Sequence, residues 1–93
     1  MNLKVIWTSR FKKDYKLAIK RSLNIDLLDN TIRMLAAGQP LPEEYNDHQL
    51  TGNLKDYREC HIEPDWLLIY RIEKDILVLT LQRTGTHSDL FNK

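Results

Sequence analysis

Ninety-three residues make one domain of ordinary size, residues 1–93, and leave no room for a second core. With 42% hydrophobic and 29% charged residues the chain has enough apolar content to fold, which excludes wholesale disorder. The formal net charge of +1 points by itself neither to nucleic acid nor to a membrane, but it averages two unlike parts: the first 21 residues hold seven cations and one acid, Asp14, and the rest hold seven cations against twelve acids.

Cys60 is the only cysteine, so no intrachain disulfide forms and packing must supply the stability, as in a reducing compartment. The opening Met-Asn-Leu-Lys-Val-Ile-Trp is too short an apolar run for a secretion signal, and nowhere do about 18 apolar residues follow one another. The expectation is a cytoplasmic protein with no membrane partner.

Leu3, Val5 and Trp7 alternate with their neighbours as a first strand does, and Thr8 or Ser9 suits the cap of a following helix. In that helix Phe11, Tyr15, Ala18 and Ile19 form one buried stripe, and Lys12, Lys16 and Lys20 line another face. After Ser22-Leu23-Asn24, the residues Ile25, Leu28, Ile32, Leu35 and Ala36 predict a second helix, closed by Gly38 in a left-handed conformation. The two pack as a helix hairpin. Beyond the Gly- and Pro-rich residues 38–42 the period becomes extended, with antiparallel strands predicted over 57–63, 66–72 and 76–83. Pro64-Asp65 makes the first turn and Glu73-Lys74-Asp75 the second. Leu77, Leu79 and Leu81 share a face that covers the helices, leaving the opposite face free. The short first turn brings His61 and Asp65 to the same end of adjacent strands.

The chemistry-bearing residues gather in the second half. His48, His61 and His87 all avoid the helical stripes, and their spacings of 13 and 26 residues match no zinc signature. Nucleophile-elbow, P-loop and dinucleotide glycine patterns are missing too, so phosphate-ester chemistry is what remains, without a metal or cofactor. Cleaving RNA needs a base for the 2′-hydroxyl, a cation for the crowded phosphorus and an acid for the departing 5′-oxygen. Imidazole serves either proton role near neutrality, and an arginine fork stays charged while gripping phosphate oxygens; Arg83 is the candidate.

The runs Asp47-His48-x-Leu50-x-Gly52, Tyr57-Arg58-x-x-His61-x-x-Pro64-Asp65-Trp66-Leu67-Leu68-Ile69-Tyr70 and Arg83-Thr84-Gly85-Thr86-His87-x-x-Leu90-Phe91 closely resemble the YafQ-type toxins of the RelE/ParE superfamily. The match covers about half the chain, residues 47–91; the half before it agrees in pattern only. One departure is Gln49, where those toxins often have proline, which should loosen the local backbone without removing a catalytic group. The resemblance implies a RelE-like α+β fold: an N-terminal strand and helix hairpin on one face of a mostly antiparallel sheet, with a short C-terminal helix or turn. It implies the toxin of a type II toxin–antitoxin system, an endoribonuclease cutting messenger RNA in the A site of the 70S ribosome. A cognate DNA-binding antitoxin would hold it inactive, and operator DNA would be met only through that complex.

Carried over to this sequence, His48, His61 and Asp65 would activate or orient the 2′-hydroxyl, with the base among them left open. Arg83 would stabilise the transition-state phosphate and His87 would be the general acid. Phe91 would stack on or brace a base, and Trp66 would line the site. Lys12, Lys13, Lys16 and Lys20 would meet ribosomal RNA. The alternative is a non-enzymatic ParE-like module acting on gyrase or as an operon co-repressor, which has no need of four such polar residues together.

Overall fold

The structure, a computed structural model, describes residues 2–91. Its elements in chain order are β1 (Lys4–Trp7), α1 (Ser9–Lys20), α2 (Ile25–Ala36), β2 (His48–Gln49), β3 (Arg58–Glu63), β4 (Trp66–Glu73), β5 (Val78–Gly85) and α3 (His87–Phe91), with 3₁₀ turns at Glu43–Tyr45 and Gly52–Leu54. The strands form one sheet in the order β1-β5-β4-β3-β2. β1 runs parallel to β5, and the other three pairings are antiparallel. This is the α+β arrangement expected, a strand and helix hairpin on a mostly antiparallel sheet with a short last helix. No helix among the described residues is long and apolar enough to cross a membrane.

Local chemistry accounts for the helix ends. The Thr8 hydroxyl accepts the Phe11 N–H at 3.0 Å and so caps α1. Both helices close with paired backbone bonds around a left-handed residue. At α1 this is Ser22, with Leu23 N–H donating to the Ala18 carbonyl; at α2 it is Gly38, with Gln39 N–H donating to the Met34 carbonyl. Phe11, Ala18, Leu28, Ile32 and Leu35 from the helices meet Cys60, Trp66, Leu68, Tyr70, Leu79 and Leu81 from the sheet in one core. A fully buried side chain of this size stabilises the fold by about 1.5–3 kcal/mol relative to exposure. The Tyr15 hydroxyl ties the helices together by donating to Asp29 at 2.8 Å; burial first, then that carboxylate, push its pKa up to about 12.

Two predicted core residues are outside. Ile19 is exposed because it stands well off the Phe11–Ala18 line around α1. Leu77 is exposed because the turn after β4 runs to Leu77 itself, which takes a left-handed backbone (φ 55°) and spends its carbonyl on the Lys4 N–H. Only Leu79 and Leu81 of that trio reach the core.

α1 also takes over one edge of the sheet. β1 pairs with β5 only over Val78–Leu81, and beyond that the α1 end supplies the partners. The Thr8 hydroxyl donates to the Gln82 carbonyl, and Asp14 accepts the Thr84 N–H at 3.1 Å. The first of these contacts falls on a bulge in β5 at Gln82, since Leu81 faces Tyr70 and Arg83 faces Ile69.

Candidate active site

Cys60 points into the core, so by strand alternation its neighbours Glu59 and His61 point to the sheet face away from the helices. β2 adds His48 directly opposite Glu59. The row continues across the sheet through Ile69 to Arg83. The Pro64–Asp65 turn and α3 then close the same end, and the three histidines, distant in sequence, come together: the ring centroids of His48 and His61 are 6.5 Å apart and those of His61 and His87 are 6.0 Å apart.

Each ring is oriented by a partner at Nδ1. His48 donates to the Asn46 carbonyl at 2.7 Å, which the left-handed Asn46 (φ 46°) turns toward it. His61 donates to the Pro64 carbonyl at 3.2 Å. His87 donates to Asp65 at 2.6 Å, and the same oxygen accepts the His87 backbone N–H at 3.0 Å. That backbone bond first, then the imidazole, hold the exposed Asp65 carboxyl below the usual carboxylate range. Asp65 therefore pairs with His87, whereas the turn alone had suggested His61. Fixed Nδ1 hydrogens leave Nε2 as the working nitrogen of all three rings.

Glu59, unremarked in the sequence, is 6% exposed, with its Oε1 at 3.5 Å from His48 Nε2 and 3.9 Å from His61 Nε2. The available signal was its place two residues before His61, on the same strand face. Arg83 is anchored by Asp14, which accepts from Nε at 2.7 Å and from Nη2 at 3.2 Å. These bonds first, then the carboxylate's charge, raise the arginine's pKa against the opposing effect of burial. The lone acid of the basic segment is thus the residue that holds the candidate phosphate clamp.

Trp66, expected to line the site, is a correction. It is 3% exposed on the helix side of the sheet, with its indole N–H donating to Thr84 at 2.9 Å. Phe91 lies half-buried at the end of α3, one turn from His87 and so on the same helix face. Lys12, Lys13, Lys16 and Lys20 are exposed along α1. Gln49 does not loosen its surroundings: it pairs with Arg58 in β2, and its side-chain amide donates to the carbonyls of Lys55 and Tyr57.

α3 is held by its own contacts. Thr86 and Asp89 cap one another, the Asp89 N–H donating to the Thr86 hydroxyl and the Thr86 N–H to the Asp89 carboxylate. Arg21, just past α1, donates to Asp89 at 2.7 Å. That bond first, then the Thr86 N–H, lower the Asp89 pKa to about 2. Imidazole and carboxylate are donors that transition metals accept, but among the described residues no three such groups converge to hold one.

An open set of imidazoles beside a carboxylate-held arginine on an α+β sheet brings together groups that can give and take protons and a fixed cation that can meet a phosphate. Residues 3–92 match the family model described as a bacterial toxin of type II toxin–antitoxin system, YafQ, and the chain belongs to that family. It is 42% identical over 86 residues to the mRNA interferase toxin YafQ of Escherichia coli strain K12, covering 91% of each chain. Its fold is similar to the toxin in the crystal structure of the E. coli DinJ-YafQ toxin-antitoxin complex, with TM-score 0.89 and 39% identity over 98% of this chain and 99% of that one. It is similar as well to a metal-bound toxin from Helicobacter pylori, with TM-score 0.90 and 45% identity over 96% of this chain and 99% of that one.

Proposed function

We propose that the chain is a cytoplasmic, ribosome-dependent endoribonuclease, which cuts messenger RNA in the A site without a metal and is silenced by a cognate antitoxin. The observation that carries this reading is the convergence of three imidazoles, each oriented through Nδ1, on one face of the sheet. The relative named an mRNA interferase supports the reaction, and the toxin–antitoxin complex supports the partner.

In the proposed reaction an unprotonated Nε2 of His48 or His61 takes the proton of the 2′-hydroxyl. The 2′-oxygen bonds to phosphorus, the bond from phosphorus to the 5′-oxygen breaks, and His87 gives its Nε2 proton to that leaving oxygen. A 2′,3′-cyclic phosphate and a 5′-hydroxyl result. Asp65 ties Nδ1 of His87 at 2.6 Å and so leaves Nε2 to face the leaving oxygen. Arg83, held at one edge by Asp14, meets the charge that builds on the phosphate oxygens. Phe91 braces a base of the message, and the α1 lysines contact ribosomal RNA phosphates.

Primer extension on translating ribosomes tests the reading. The wild-type chain should truncate messages with or without EDTA, and Arg83→Ala combined with His87→Ala should lower cutting by at least about 100-fold. Reversing the charge of Lys12 and Lys16 should weaken ribosome binding and flatten its salt dependence. Undiminished cutting by the double variant would overturn the mechanism. Loss of cutting in EDTA on intact ribosomes would favour a metal route, and DNA damage with intact messages would favour a gyrase-directed toxin.

A further inference from the structure

Glu59 is the buried group of the cluster that the reaction above leaves unused. His48 and His61 both give Nδ1 to a backbone carbonyl, which can only accept, so both Nδ1 atoms carry hydrogen. In a neutral ring the second nitrogen then bears a lone pair. For both rings that nitrogen faces one oxygen, Glu59 Oε1, at 3.5 and 3.9 Å. Two neutral imidazoles and an ionised carboxylate would bring three electron-rich atoms together at a carboxylate that is only 6% exposed and has lost most of its water, with the His48 side chain 42% exposed beside it. One added proton turns that repulsion into attraction.

We propose that Glu59 holds one proton in common with His48 and His61, so that at neutral pH one of these rings is an imidazolium beside a carboxylate and the other is free to act as base. Of the other charged groups on this face, Glu63 stands exposed at the end of β3, and Arg71 on β4 is paired with Glu73 at 3.6 Å. His87, with its ring centroid 6.0 Å from His61, is paired with Asp65, and Arg83, two strands along the row, is paired with Asp14. When the free Nε2 takes the 2′-hydroxyl proton, the trio holds two protons around one carboxylate, and it returns one to solvent after the cyclic phosphate leaves. Glu59 touches no substrate and is a positioning residue. The use of the proton rests on the proposed RNA cleavage, but the proton itself belongs to the free protein.

¹⁵N-histidine NMR of the free chain at neutral pH separates the two. The wild type should show one imidazolium equivalent spread over His48 and His61. Glu59→Gln should leave both rings neutral with hydrogen on Nδ1, while the His87 signals stay put and report an intact fold. Glu59→Asp should keep part of the shared proton. In cleavage assays Glu59→Gln should be slower by about tenfold or more, with Glu59→Asp recovering part of the loss. Two neutral rings in the wild type, or a proton retained in Glu59→Gln, would overturn the proposal, whether or not the protein cuts RNA.

Discussion

Asp14 and Arg83 are separated by most of the chain, yet they form an enclosed ion pair beside the site, with side chains 12% and 18% exposed. A charge-assisted fork of this kind fixes a guanidinium's direction better than a single hydrogen bond does. Asp14→Asn keeps the shape and removes the charge. It should slow cleavage about tenfold, because a clamp misplaced by a fraction of an ångström loses transition-state contact, and it should erase a slowly exchanging Arg83 Nε signal in the free protein. Loss of that signal with undiminished cleavage would show that Asp14 does not position the clamp. Neither Asp14 nor Glu59 was legible as a site residue, since a side-chain partner across the fold leaves no local periodicity. Trp66 was misplaced for a related reason. The run Trp66 to Tyr70 is buried on both faces of the sheet, so alternation does not tell which residues face the helices.

At the scale of elements, long periodic segments were legible and short ones were not. Both long helices and the three antiparallel strands carry their period over several residues, and the structure places them within a few residues of expectation. β2 is two residues long and defined only by its pairing with β3, yet it brings His48 to Glu59. α3 is five residues long and depends on its cap. Because the fold lowers the Asp89 pKa to about 2, against about 3.9 unfolded, the carboxylate's stabilisation is complete above about pH 4 and is lost as pH falls toward 2. The Leu90 amide, which donates to the Thr86 carbonyl, reports it. Its protection against hydrogen exchange should fall across that window in the wild type. In Asp89→Asn it should be low already at neutral pH and change little with acid. Parallel profiles would mean that α3 is held by something other than this cap and Arg21.

Across the whole molecule the sheet separates two kinds of chemistry: its helix side is the core, and its other face carries the histidine row, with α3 closing one end. The runs around His48, His61, Asp65, Arg83 and His87 made the family legible in the sequence, because their order and spacing resemble those of the YafQ-type toxins. How they divide the work was not legible, since that depends on which nitrogen of each ring is tied. The central claim is that these imidazoles cleave RNA through its own 2′-hydroxyl, and one substrate tests it directly: a ribosome-bound message with a single 2′-deoxy nucleotide at the scissile position. The account predicts that this message stays intact, while its all-ribose counterpart ends in a 2′,3′-cyclic phosphate and a 5′-hydroxyl. Cutting of the deoxy message at the ordinary rate, leaving a 3′-hydroxyl and a 5′-phosphate, would contradict it.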